Sequence, residues 1–132
     1  MELNRFLFAQ KLYLKDAMNE IRNGQKKTHW IWFVFPQLKG LGTSWVSNYY
    51  GLDGIKEAKS YFDNAQLRKN LLECFKLVLK IEDIDKCFGY DAKKVHSCAS
   101  IFYLATQKKI FKQVIDKFFG GRIDNNTVLL LG

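Results

Sequence analysis

The sequence predicts an all-α protein, a compact single-domain multihelical bundle of about six or seven helices, several of them short. Three observations carry this expectation. Apolar residues recur at three- and four-residue steps over most of the 132 residues. Helix starts and stops punctuate these stretches at Asn23-Gly24, Asp53, Asp83, Gly89, Asp91, Gly120-Gly121 and Asp124. The one stretch with strand-like alternation, Trp30 to Phe35, has no partner elsewhere in the chain, so a short buried helix suits it better.

Taken in order, Phe6, Ala9, Tyr13 and Ala17, flanked by Leu7, Leu14, Met18 and Ile21, build a first helix. Asn23-Gly24 stops it, because glycine enters the left-handed conformation cheaply. A second helix runs from Ile55 to Phe62 with Asp53 as its cap. A third places Leu67, Leu71, Phe75, Val78 and Leu79 on one face and Lys69, Lys76 and Lys80 outside it. Asp83 caps a short helical turn ending at Gly89, and Asp91 caps a helix bearing Val95, Cys98, Ala99, Phe102 and Ala105. Ile110, Phe111, Val114, Ile115 and Phe118 form an amphipathic helix closed by Gly120-Gly121, and Asp124 caps a last short one with Val128, Leu129 and Leu131.

Composition limits the class further. Hydrophobic residues make up 48% of the chain and aromatics 15%, with one proline, which excludes disordered, collagen-like and low-complexity chains. The length suits one domain over residues 1–132, able to fold without disulfide or metal staples. Charges at Glu2, Arg5, Lys11 and Lys15 interrupt the N-terminal apolar residues, unlike a signal peptide, and Trp30 to Phe35 is too short to cross a bilayer. Cys74, Cys87 and Cys98 are odd in number and form no CxxC, and His29 and His96 lie far apart, so neither a disulfide framework nor zinc spacing emerges. The expectation is a basic cytoplasmic protein with reduced thiols, no membrane association, no metal and no cofactor motif. Its oligomeric state is left open.

Lys and Arg number 21 against 13 Asp and Glu, a net charge of +8. Most of the basic residues fall on the polar faces of the helices above, as a solvated surface requires. No nucleic-acid module is recognisable, although a field of this sign attracts phosphates.

Residues 24–50 are the unusual part. His29-Trp30-x-Trp32-Phe33-x-Phe35-Pro36-Gln37 is followed by Gly40-Leu41-Gly42-x-Ser44. This string resembles the signature of an uncharacterised family, domain of unknown function 1810, whose members often carry the label calpastatin. The similarity extends along the chain through Arg5-Phe6, Ala9-Gln10 and Tyr13, then Glu57-Ala58 and Tyr61. It continues through Asp91, Lys94, Ser97, Ser100 and Phe102 to Phe118-Phe119-Gly120-Gly121, Asp124 and Thr127. The chain departs from the family pattern at Cys98, Ala99 and Ser100, where Ser, Met and Thr are commoner, and at His96, where Arg is usual. The resemblance implies a mainly helical fold and no established activity. True calpastatin is disordered and proline-rich, so a chain with one proline and this apolar content does not fit that label.

Within these motifs, His29 beside Trp30 suggests an acid/base next to a stacking platform, with a capping or core-edge role as its bland counterpart. Trp32, Phe33 and Phe35 are more simply core. Asp91, Lys94 and Ser97, three residues apart, face one side of a helix start; a Lys-activated serine is weighed there against a capping cluster in which Lys94 pairs with Asp91. Gly40-x-Gly42 lacks both the preceding strand and the lysine of a phosphate loop, so it reads as a turn between helices. Asp124-x-x-Thr127 reads as a helix start or a catalytic carboxylate, and Cys98 as an inert core thiol.

The leading expectation is a binding protein or small enzyme for an anionic ligand of phosphate or nucleotide type. His29, Asp91 and Asp124 are its candidate acid/base residues for a hydrolytic or glycosyl-type step, and Lys27, Trp30, Gln37, Ser44, Lys94 and Ser97 its candidate contacts. A non-catalytic protein-interaction module and a non-specific nucleic-acid binder stand as alternatives. A concave pocket gathering His29, Asp91 and Lys94 separates the first reading from the second.

Overall fold

The computed structural model describes residues 3–132; Met1 and Glu2, which enter the N-terminal reading, lie outside the described residues. The chain forms α1 (Asn4–Arg22), α2 (Ile31–Val34), α3 (Trp45–Tyr50), α4 (Ile55–Asp63), α5 (Ala65–Leu79), α6 (Ile84–Phe88), α7 (Ala92–Thr106), α8 (Lys109–Phe118) and α9 (Asn125–Leu131). A 3-10 turn over Gly89–Asp91 leads into α7. Among the described residues six helices have seven residues or more, and α2, α3 and α6 are the short ones, as the all-α expectation has it. The nearest approach to a sheet among them is an isolated parallel bridge between Leu38 and Leu52.

Helix α7 lies at the centre, against α4, α6, α8 and α9, while α1 packs on α2 and α5. Its buried side is made of Ala92, Ser97, Cys98, Ala99 and Ser100 as well as Val95, Ile101 and Phe102. Small residues let neighbouring elements come close, and the large rings of those neighbours fill the space between. Phe35, Phe75 and Phe111 are fully buried and meet edge to face, with centroids 5.4 Å and 4.9 Å apart. Each such ring contributes roughly 1.5–3 kcal/mol by leaving water. One polar network is sealed inside: Gln10 donates to the Phe33 carbonyl (2.8 Å) and Tyr61 hydroxyl (2.9 Å) and accepts from Asn70 (2.9 Å). It ties α1 to α2, α4 and α5.

Local chemistry explains most boundaries. Past the end of α1, Gly24 (φ 76°) donates to Ile21 O and Gln25 to Glu20 O, a Schellman turn that reverses the chain towards α2. Asp83 and Asp124 cap α6 and α9 through their side chains. Two expected caps differ. The N-cap of α4 is Gly54, not Asp53: the Asp53 carboxylate turns to Lys39 (3.5 Å), while Glu57 reaches back to accept the Asp53 N–H at 2.8 Å and pairs with Arg5. Asp91 stands at the N-cap of α7 but makes no capping bond, since both its carboxylate oxygens are taken by lysines. Beyond the Gly40-x-Gly42 turn the chain forms α3, capped by Ser44, whose Oγ accepts from Ser47 N–H (3.1 Å). Gly42 is required there by proximity: a Cβ would lie 2.6 Å from Trp32 Cη2 and 2.8 Å from Ser47 Cβ.

Candidate functional site

The aromatic segment leaves the Schellman turn under the control of one carboxylate. Glu20 Oε1 accepts from Lys27 N–H (2.6 Å), Thr28 N–H (2.9 Å) and Trp30 Nε1–H (3.0 Å), and Oε2 from the Thr28 hydroxyl (2.7 Å). Burial favours the protonated acid, but these bonds outweigh it and hold Glu20 down at about 2. The clamp drives the Trp30 ring into the core, 1% exposed, against Phe35 and Phe88. The fixed loop also decides which lysine turns inward. Lys26, anchored by its N–H on Cys87 O (2.8 Å), places Nζ 3.0 Å from Asp91 Oδ2 and 4.9 Å from the centroid of Trp30. Lys27 stays in solvent.

Asp91 is the meeting point. Lys94 Nζ donates to its other oxygen, Oδ1, at 2.9 Å and lies 5.2 Å from the centroid of Trp32. Burial raises the Asp91 acid, but the bonds from Lys94 and Lys26 outweigh this and hold it below the ordinary aspartate range. Two indoles, two ammonium groups and one carboxylate are thus locked together where the α1–α2 loop meets the start of α7.

Two clefts open around this cluster and share Trp32 as a wall. The first, about 490 Å³, is lined by Lys26, His29, Trp30, Ser44, Trp45 and Asp91 among others. The second, about 630 Å³, is lined by Gln37, Lys93, Lys94, His96, Ser97, Arg122 and Asp124 among others. Together they carry Lys26, Lys93, Lys94 and Arg122 against Asp91 and Asp124, so the excess charge is positive. A larger depression of about 710 Å³ beyond the end of α1 is lined by Arg22, Lys80, Glu82, Asp83 and Lys86 but carries no aromatic ring.

In the second cleft Asp124 Oδ2 accepts from Thr127 N–H (3.0 Å), Thr127 Oγ1 (2.7 Å) and Ser97 Oγ (3.2 Å), while Ser100 Oγ accepts the Asp124 N–H (2.9 Å). Two serines of α7 therefore seat the cap of α9. Oδ1 of Asp124 lies 4.0 Å from His96 Nδ1. His96 Nε2 donates to Arg122 O at 2.6 Å, and its ring stacks on Phe119, with centroids 4.2 Å apart and planes at 5°. Because a carbonyl oxygen only accepts, Nε2 is the donor in that bond, and Nδ1 is the ring nitrogen that faces Asp124.

The residues singled out from sequence fall into three groups. His29, Trp30, Ser44 and Asp91 line the first cleft, and Gln37, Lys94, Ser97 and Asp124 the second, with the Asp91–Lys94 bond joining the two sets. Lys27 is in neither lining; its neighbour Lys26 takes the inward place. Gln37 is 2% exposed, and its amide donates to Phe35 O and Lys94 O at 3.4 Å, fastening the aromatic segment to α7. The Lys94 ammonium pairs with Asp91, which makes no capping bond of its own, and the Ser97 hydroxyl goes to Lys93 O (3.1 Å) and Asp124 (3.2 Å), so Lys94 and Ser97 turn to different partners. Trp32, read as core, is half-buried and divides the clefts. Lys26, Trp45, His96 and Arg122 were not among the sequence candidates. The Lys26-Lys27 doublet and the one-turn spacing of Trp45 and Tyr49 were the available signals for the first two.

The chain is 38% identical to the conserved hypothetical protein Rv1873 from Mycobacterium tuberculosis, whose crystal structure superposes with a TM-score of 0.94 over 98% of this chain and 95% of that one. No curated protein matches. The family model described as "Protein of unknown function (DUF1810)" matches residues 1–131, spanning the aromatic segment and both clefts, and the chain belongs to that family.

Proposed function

We propose that the protein binds a small phosphate-bearing anion across the paired clefts, as a cytoplasmic protein without metal or organic cofactor. The observation that supports this reading is the Lys26–Asp91–Lys94 cluster, in which two ammonium groups from separate parts of the chain share one carboxylate, one over the buried Trp30 indole and one over the half-buried Trp32 indole. A phosphate presents the same kind of acceptor oxygens as that carboxylate with more charge, so it competes for the same donors. Lys93 and Arg122 add to the field from the second cleft. A proton transfer at this site would fall to His96, whose ring is oriented by Arg122 and Phe119. His29 is exposed, and among the described residues no hydrogen bond or ion pair holds its ring.

Calorimetric titration with ribose 5-phosphate at low salt tests the reading. Saturable binding that Lys26→Ala and Lys94→Ala each weaken about tenfold is expected, since a charge-assisted hydrogen bond is worth roughly 1.5–3 kcal/mol. An absence of saturable binding, or affinity indifferent to both substitutions, contradicts it. Binding of mixed-sequence RNA that collapses with salt and ignores both lysines would instead favour the nucleic-acid alternative.

A further inference from the structure

We infer that the phosphate-bearing ligand is a nucleotide whose base stacks on the open face of Trp45, an inference that rests on the phosphate-binding reading above. Trp45 is 73% exposed, yet its ring is held. Tyr49, one turn along α3, lies parallel to it, with centroids 5.1 Å apart and planes at 6°. Tyr49 meets Tyr50 edge-on at 4.8 Å, and Tyr50 meets the core rings of Phe33 at 5.2 Å and Phe6 at 5.8 Å. Trp45 is therefore the outermost member of a series of ring contacts rooted in the core. Tyr49 covers one face of the indole and the other remains in solvent.

The same indole lines the first cleft with Lys26, His29, Ser44 and Asp91. A volume of about 490 Å³ lies within the ~300–1,000 Å³ range of small-ligand pockets. The cleft thus brings an exposed indole and a lysine–carboxylate pair into one lining, so the complementary molecule joins a flat ring to an anion. A phosphorylated heterocycle has that form, and a bare phosphate would leave the indole face in water. Stacking on a π-face discriminates weakly among bases, so Trp45 sets the class of ligand and not the identity of its base. Ser44 and His29, exposed along the same wall, are the hydrogen-bonding groups within reach of a sugar or a base edge.

Calorimetric titrations of the full chain with AMP, ribose 5-phosphate and adenosine separate the two ends. AMP is expected to bind about tenfold or more tighter than ribose 5-phosphate. Trp45→Ala should remove that advantage by weakening AMP about tenfold more than ribose 5-phosphate, and Trp45→Phe should restore most of it. Equal affinities for AMP and ribose 5-phosphate, or AMP binding that Trp45→Ala does not alter, overturn the stack while leaving the phosphate reading standing. Adenosine binding as tightly as AMP, with dependence on Trp45 but not on Lys26 or Lys94, keeps the stack and overturns the phosphate reading. No binding of any of the three overturns both. A short oligoadenylate distinguishes the two sources of a phosphorylated base: binding tighter than AMP assigns the stack to the end of a strand, and weaker binding to the free nucleotide. Because Trp45 is exposed, an unchanged melting curve for Trp45→Ala confirms that the fold is intact.

Discussion

Glu20 accepts the Trp30 indole N–H at 3.0 Å, and this bond orients the first ring of the aromatic segment. The folded carboxyl sits at about 2 against an ordinary 4.5, so its contribution to stability is full above 4.5 and is lost as pH falls towards 2. An NMR titration should place the Glu20 midpoint near 2, and a midpoint near 4.5 would contradict the clamp. At neutral pH Glu20→Gln keeps the shape but loses the charge, and a stability loss of roughly 1 kcal/mol, read by urea unfolding, is expected after allowance for solvent screening.

Asp91→Asn removes the counter-charge of Lys26 and Lys94. If the clefts bind phosphate, ribose 5-phosphate affinity should rise several-fold by calorimetry, while stability falls by about 1 kcal/mol because the Lys26 ammonium loses its counter-charge and keeps only the Thr28 carbonyl and the Trp30 ring. A drop in affinity would mean that Asp91 positions the lysines and does not compete with the ligand.

Gly51 has an ordinary negative φ, so alanine there is not strained in its backbone torsions. Its Cβ would nevertheless lie 2.6 Å from Lys39 Cα and 2.9 Å from Ser47 O, both backbone atoms. Gly51→Ala should cost roughly 1–3 kcal/mol by urea unfolding, through displacement of the Leu38–Leu52 bridge. A neutral result would show that this crossing yields easily.

Burial pushes the Cys74 thiol up to about 12, Cys98 well above the ordinary thiol range, and Cys87 upward as well. All three are buried. A disulfide-exchange reagent at neutral pH should react with the native protein at least about a hundredfold more slowly than with the unfolded chain, where three thiols titrate. Rapid labelling of one native thiol would identify a locally opening segment.

The longer helices were legible because their signals are local. The apolar face of α8 and the Asp83 and Asp124 caps depend on residues within a turn of one another. Asp91 has the same local grammar, but Lys26 arrives from a distant segment, and no spacing rule anticipates that. Helix α3 has six residues, too few for a period to show. At the candidate site the sequence marked the aromatic segment and Asp91 with Lys94, but it could not choose between Lys26 and Lys27. That choice is made by the Schellman turn and the Glu20 clamp together. The approach of His96 to Asp124 likewise requires α9 to be seated on α7, a contact between segments and not within one.

The tight fit at Gly42 has a consequence for recognition. With Gly42 close against one edge of the Trp32 indole and Lys94 lying over its face, the ring has few rotamers open to it before any molecule arrives. Fixing a rotamer-rich side chain during association ordinarily costs about 0.5–1.5 kcal/mol, and here folding has already imposed that order. If the clefts bind a ligand, that partition would meet it already ordered, and the cost of fixing the Trp32 rotamer would not fall on association.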